Sequence, residues 1–330
     1  MSSNIYDISI FIIQVLQNIG DWFIVTMKFF SFLGVVDFYL LVMPVIVWAL
    51  DYNFGLRLGV MLLLSSGFNS LIKMGFHQPR PFWTNTDIKQ LDRPWTDFGI
   101  PSGHSMTPLA VYGLIAATLK RRWVTILISV VIFLIGLSRM ALGVHFIQDV
   151  LAGWIFGLLV LWLFIRFEGA VKDWLGKRSL SQKLFVIFLF SLVIVFIGAL
   201  ILVSLGEYEI PQSWQANALL AQPEDPLAPL SLNGLVTSAG TLFGLAVGGF
   251  WIEKSGGFND EGKPWQRILR FIIGLVGVVI LWQGLGSLLP RNQDFLSLTL
   301  RYLRYTLTGL WISGLAPMLF MKLKLAKQKE

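Results

Sequence analysis

An all-α, polytopic membrane fold follows from three features of the sequence. Hydrophobic residues make up 55% of the 330 positions and charged residues only 14%, which is more apolar surface than a soluble domain of this length can bury. The mean hydropathy is +0.69. Several apolar stretches reach the roughly 20 residues a helix needs to cross hydrocarbon. They are rich in Leu, Ile, Val and Gly and lack the period-2 alternation of a barrel strand.

Residues 5–33 alternate apolar and polar positions at helical spacing and break at Gly20. This predicts one or two amphipathic helices lying in the interface, with a short hairpin into the membrane as the alternative. About nine crossings are then expected, at about 36–52, 54–76, 104–119, 122–140, 145–168, 181–205, 229–252, 267–289 and 297–322. The resulting division is an interfacial segment 1–35, a helical membrane core 36–170 and a C-terminal transmembrane extension 171–330. In the extension, the small residues of "SAGTLFGLAVGG" (238–249) predict close helix packing, and 239–256 echoes the glycine pattern of 152–169.

The formal charge of +7 does not point to nucleic acid, because the basic residues sit mostly in short loops between apolar runs, where they set topology. Lys120-Arg121-Arg122, the cluster from Arg166 to Lys183, then Lys254, Lys263 and Arg267, and the basic tail all fall on one face if the spans alternate. That face is expected to be cytoplasmic. The loop 77–103 and the acidic segment 206–228 face the other side and can border a site there. The first 27 residues hold no Lys or Arg, unlike the basic start of a signal peptide. With no cysteine in the chain, thiolate chemistry and Cys-based metal sites drop out.

On the non-cytoplasmic face three polar clusters converge: Lys73 with Arg80-Pro81, Pro101-Ser102-Gly103-His104, and Ser138-Arg139 with His145 and Asp149. Ionisable groups at membrane depth are costly, so their gathering at one interface marks a functional site. Lys73, Arg80 and Arg139 supply three cations, two of them planar forks matched to phosphate oxygens, and a helix starting at Ser102-Gly103 adds backbone donors. Phosphoryl transfer also needs a nucleophile and a proton for the leaving oxygen, and two histidines are at hand. His145 and Asp149 stand at i, i+4, so on a helix the carboxylate can reach the imidazole and fix its tautomer.

The order Lys, six residues, Arg-Pro; Pro-Ser-Gly-His; Ser-Arg, five residues, His, three residues, Asp resembles the signature of the type 2 phosphatidic acid phosphatase superfamily, over roughly residues 54–168. The resemblance implies that His145 forms a phosphohistidine, His104 acts as general acid, and Asp149 orients His145. Lys73, Arg80, Ser102, Gly103 and Arg139 would hold the phosphate, with no metal and no cofactor. It further implies a lipid phosphate or lipid pyrophosphate as substrate, in a multi-pass protein of the cell membrane whose site opens on the extracytoplasmic face. Neither the lipid class nor an oligomeric state is specified by these residues. Two rival readings are a vanadate-dependent haloperoxidase, which uses the same pocket in soluble proteins, and a non-catalytic lipid-binding membrane protein.

Other polar and aromatic residues have plainer readings. His77 lies where the signature leaves the residue open and is expected at a loop or rim. Trp83, Trp95, Trp214 and Tyr302 fit an interfacial aromatic belt. Arg301 and Arg304 begin the last apolar run and read as snorkelling anchors, with attraction of an anionic headgroup as the alternative.

Overall fold

The computed structural model describes residues 3–329. Helix is the only extended secondary structure among them, with one isolated bridge between Asn259 and Lys327. The N-terminal segment forms α1 (Ser3–Gln17) and α2 (Asp21–Phe32), broken at Gly20 with its positive φ of 132°, a backbone region open to glycine. The two helices are bent by 111°. Then follow α3 (Val36–Val45), α4 (Tyr52–Phe76), the short α5 (Pro81–Thr84), α6 (Gly103–Leu119), α7 (Arg122–Ala141) and α8 (Ile147–Gly176). The second half holds α9 (Leu180–Leu205), α10 (Gln212–Ala221), α11 (Asn233–Lys254), α12 (Pro264–Val279), the short α13 (Leu285–Leu288), α14 (Phe295–Leu310) and α15 (Ala316–Lys322). Five-residue π-helical turns follow α3, α12 and α14.

Six helical segments among the described residues are long and apolar enough to cross a membrane, or seven if the bent pair α1–α2 is one span. The nine crossings expected from the apolar runs are therefore not confirmed. The shortfall has a physical origin. Two of the expected runs, 104–119 and 297–322, yield no such segment: α6 is only 17 residues long, ten of them buried, and 297–322, divided into α14, a π-turn and α15, carries Arg301 and Arg304 in its first helix. The run after residue 35 yields only the short apolar helix Val36–Leu50, interrupted by Pro44 and closed by a π-turn. By contrast, α7, α8 and α9 leave large apolar side chains such as Ile126, Phe133, Ile155, Trp162, Phe196 and Val203 exposed, as helices facing lipid do.

The chain forms two compact units, each assembled from separate stretches. One takes in the chain up to Phe38, Phe68–Phe164 and Leu200–Ser231. In it α7 packs on α1, α2 and α6, and α10 packs on α5. Its core includes Phe82, Trp83, Phe98, Leu142, Val144 and Ala218. The other takes in Tyr39–Gly67, Ile165–Ala199 and the chain from Leu232 onward. There α11 lies along α14, and a Cβ added at Gly240 or Gly244 would meet backbone oxygens of Tyr302 or Thr306 at 2.6 and 1.9 Å. The small-residue stripe read from the sequence is thus a helix contact.

Candidate active site

Every residue singled out for phosphate chemistry lies in the first unit. Lys73 sits in the last turn of α4, and its side chain is buried. Arg80 precedes α5, whose first residue is Pro81, where a missing N–H costs nothing. The Arg80 guanidinium is fully buried.

Ser102 is the N-cap residue of α6, so the first N–H groups of that helix have no partner within it. The entry of α6 is fixed from two sides. Ser102 N–H donates to Asp149 O at 2.9 Å, and Asn69 Nδ2 donates to Pro101 O at 3.1 Å. Two glycines let α8 come this close: a Cβ at Gly153 would lie 2.7 Å from Ser102 O, and one at Gly157 2.7 Å from Met106 O. Such close crossings of helix backbones require small residues.

The third cluster is shaped by a turn. α7 ends just after Ser138-Arg139, and Gly143, with φ of 72°, lets the chain fold back so that Val144 N–H and His145 N–H both donate to Arg139 O, at 3.2 and 3.3 Å. This brings His145 to the start of α8. Its Nδ1 lies 3.1 Å from Asp149 Oδ2, and the same carboxylate oxygen accepts Phe146 N–H at 3.0 Å. Nδ1–H therefore faces the carboxylate, which leaves the lone pair on Nε2. Arg80 Nη1 lies 3.1 Å from that Nε2 and donates to Val144 O at 3.0 Å. Burial above all, and then the positive charges of Arg80, Lys73 and Arg139, hold the His145 imidazole well below its usual pKa and so keep it neutral.

The loop 85–102 supplies what sequence reasoning missed. Asp97 reaches Lys73 with one carboxylate oxygen, at 3.0 Å, and Arg80 with the other. Asp92 pairs with Arg139 at 2.8 Å. Burial raises both carboxyls, but Lys73 and Arg80 outweigh it at Asp97, and Arg139 does so at Asp92, so both stay below the usual range. Trp95 lies beneath three guanidiniums, with Arg93, Arg80 and Arg139 4.7, 5.0 and 5.2 Å from its ring. Its edge meets the His104 ring at 5.3 Å. Gln222, just beyond α10, clasps the Trp95 backbone: it accepts Trp95 N–H at 2.9 Å and donates to Trp95 O at 3.1 Å. The acidic segment 206–228 thus borders the site through Gln222 and through Ala228 N–H, which donates to Thr96 O at 3.1 Å.

The aromatic-belt reading does not hold for two residues. Trp95 is a stacking platform for the site's arginines, and Trp83 is fully buried in the core. The sequence signal for the loop was there in "LDRPWTDFG", where two Asp and a Trp stand between the cationic clusters. His77 stays outside the cluster, bonded to Gly75 O and edge-on to Tyr208. Ser102 Oγ, Ser105 Oγ and His104 Nε2 are buried with no hydrogen-bond partner among the described residues. A tetrahedral oxyanion suits such a setting: two arginine forks, a lysine, hydroxyls and a helix start around a neutral imidazole.

Comparison with known proteins agrees with this chemistry. Residues 54–173 match the family model described as PAP2 superfamily, and residues 236–328 match the one described as PAP2 superfamily phosphatase, transmembrane extension. Phosphatidylglycerophosphatase B of Bacillus subtilis is 34% identical over 132 residues, 36% of this chain and 62% of that protein. Undecaprenyl-diphosphatase of Sulfolobus acidocaldarius is 29% identical over 36% of this chain and 58% of its own length. Sphingosine-1-phosphate phosphatase 2 of Mus musculus is 30% identical over 38% of this chain and 37% of its own. The chain thus spans about three fifths of the length of the first two relatives. The crystal structure of a transmembrane PAP2 type phosphatidylglycerolphosphate phosphatase from Bacillus subtilis is similar over 52% of this chain and 89% of its own, at 26% identity and a TM-score of 0.45. The chain belongs to the PAP2 superfamily, with the superfamily domain over residues 54–173 and the transmembrane extension over residues 236–328.

Proposed function

We propose that the protein is an integral membrane lipid phosphatase that releases phosphate from a lipid phosphomonoester, or the terminal phosphate of a lipid pyrophosphate, through a phosphohistidine on His145. The observation that carries the reading is the relay Asp149–His145–Arg80, with distances of 3.1 Å on each side of the imidazole. Asp149 fixes the tautomer, and Nε2 presents its lone pair among cations. The relatives' names, which all describe phosphatases or diphosphatases of lipid phosphates, support the same class.

The substrate phosphate enters where the Asp97 carboxylate bridges Lys73 and Arg80, and exchanges with it. Arg139, Ser102 and the backbone N–H groups from Gly103 onward complete the cradle. His145 Nε2 attacks phosphorus, the bond to the lipid oxygen breaks, and His104 gives that oxygen a proton. Water then attacks the phosphohistidine, His104 takes up its proton, and the nitrogen–phosphorus bond breaks to release phosphate. No step draws on a metal or cofactor. Residues from about 171 onward contribute no catalytic group in this scheme, and the site opens on the extracytoplasmic face of the cell membrane, as the distribution of basic loops supports.

The test is phosphate release by the purified full-length chain from a panel of lipid monophosphates and pyrophosphates in excess chelator. Turnover of at least one of them at a rate the chelator does not change is expected. No release from any of them, or release abolished by the chelator, would overturn the reading.

A further inference from the structure

The transmembrane extension holds a second basic cavity, in the second unit and made entirely of residues outside the catalytic cluster. It measures about 460 Å³ and is lined by Trp282, Gln283, Gly286, Ser287, Leu289, Pro290 and the three arginines Arg291, Arg301 and Arg304. No acidic side chain lines it. Among the described residues none of these arginines forms an ion pair, and Arg304 Nε is buried without a hydrogen-bond partner. The nearest acid in sequence, Asp294, is engaged as the cap of α14, with its carboxylate accepting from the N–H and hydroxyl of Ser297.

Two local features hold the cavity open. The π-turn Ile280–Gly284 precedes α13, and such turns often re-aim side chains at functional sites. Gly286 gives Arg304 its place: a Cβ there would sit 2.5 Å from Arg304 Nη1. Like charges gathered without a counter-charge repel one another, so three arginines around one cavity call for an anion.

The surroundings select the kind of anion. Leu288, Phe295 and Leu296, which flank the lining residues in sequence, are 79%, 87% and 62% exposed, and Leu303 on α14 is also exposed. In a membrane-embedded extension, such side chains meet lipid. An arginine cavity that also holds Trp282, Leu289 and Pro290, beside helices that expose apolar side chains, is matched to an amphiphile: a phosphate headgroup in the cavity and acyl chains along the neighbouring apolar surface. Simple snorkelling would need only one arginine reaching out to water. It accounts neither for a glycine that makes room for a guanidinium nor for the shared cavity.

We propose that this cavity is a binding site for the phosphodiester headgroup of an anionic phospholipid, separate from the catalytic site. The proposal does not depend on the catalytic reading, and its probe, phosphatidylglycerol, carries no phosphomonoester for the catalytic site to hydrolyse. Lipid retained by the purified full-length protein is counted by native mass spectrometry with equimolar phosphatidylglycerol and phosphatidylcholine, with and without excess inorganic phosphate. Wild type is expected to retain one phosphatidylglycerol per chain with a preference of about thirtyfold or more, as two to three arginines near a membrane surface supply. Arg301→Gln/Arg304→Gln should lose that preference. Arg304→Lys should keep most of it, and Gly286→Ala, which only displaces the Arg304 tip, should weaken it. His145→Ala, which leaves this cavity untouched, should retain it in full, so a failure here is distinguishable from a failure of the catalytic assignment. Retained preference in the double arginine variant would overturn the proposal. Displacement of the lipid by inorganic phosphate would overturn the assignment to a lipid headgroup and make the cavity a site for free phosphate.

Discussion

A carboxylate lying between two cations is the arrangement an entering phosphate has to displace, and in this protein Asp97 holds that place. One oxygen is 3.0 Å from Lys73 Nζ and the other pairs with Arg80, so the two groups that would grip phosphate are neutralised from within. Exchange of one anion for another keeps the buried cations paired throughout, and unpaired buried charge is what costs most. Asp97→Asn removes the competitor. Inhibition by inorganic phosphate or orthovanadate should then strengthen about fivefold, on the order of 1 kcal/mol for a partly exposed ion pair. Weaker inhibition in Asp97→Asn would instead make Asp97 a residue that positions the cations. The same carboxylate gives a pH dependence of known sign. Its folded-state pKa is depressed, so its stabilising contribution is complete above the ordinary aspartate value of about 3.9 and is lost as pH falls below that. The Tm advantage of wild type over Asp97→Asn should therefore be full at pH 6 and shrink progressively as pH falls below about 4.

At the scale of elements, the site depends on helices brought unusually close. α8 meets the start of α6 at Gly153 and Gly157, and this contact sets Asp149 beside Ser102. A methyl group at Gly153 would press on backbone, which cannot swing aside, so Gly153→Ala should cost about 1–3 kcal/mol and lower turnover. Gly169→Ala, where nothing lies within 4 Å of an added Cβ, is the matched control. Equal turnover and Tm in the two variants would contradict this packing role. The stripe at 238–249 was legible in the sequence because close helix packing leaves a spacing of small residues. So was the i, i+4 pair His145–Asp149, since helical geometry alone brings the two together. For Asp92, Trp95 and Asp97 the sequence shows only two acids and a Trp between cationic clusters, not which groups they meet. They lie in an irregular loop, where no period links sequence to position, and their partners are set by the tertiary fold. The nine crossings are not confirmed for α6, the run after residue 35 and 297–322, because a sequence shows its apolar runs more clearly than the helix lengths and breaks that the fold gives them.

For the whole molecule, sidedness is the property that joins the site to its substrate. α6 has 17 residues, about 25 Å of helix, close to the hydrocarbon thickness of roughly 30 Å. It therefore holds the loop 85–102 about 25 Å from Lys120-Arg121-Arg122. The chain has no cysteine, so single introduced thiols report without background. Asn85→Cys should react with an impermeant thiol reagent in intact cells, and Arg121→Cys should react only after lysis. The opposite pattern would place the phosphate site at the cytoplasmic surface.

The assignment of His145 as nucleophile is tested most directly by trapping the intermediate. The full-length chain is mixed with a lipid phosphate bearing labelled phosphorus and quenched in alkali, where phosphohistidine survives, and the labelled peptide is sequenced. Label on His145, its absence in His145→Ala together with loss of turnover, and largely intact turnover in His77→Ala are the expected results. Label on any other residue, or turnover that survives His145→Ala, would contradict the mechanism.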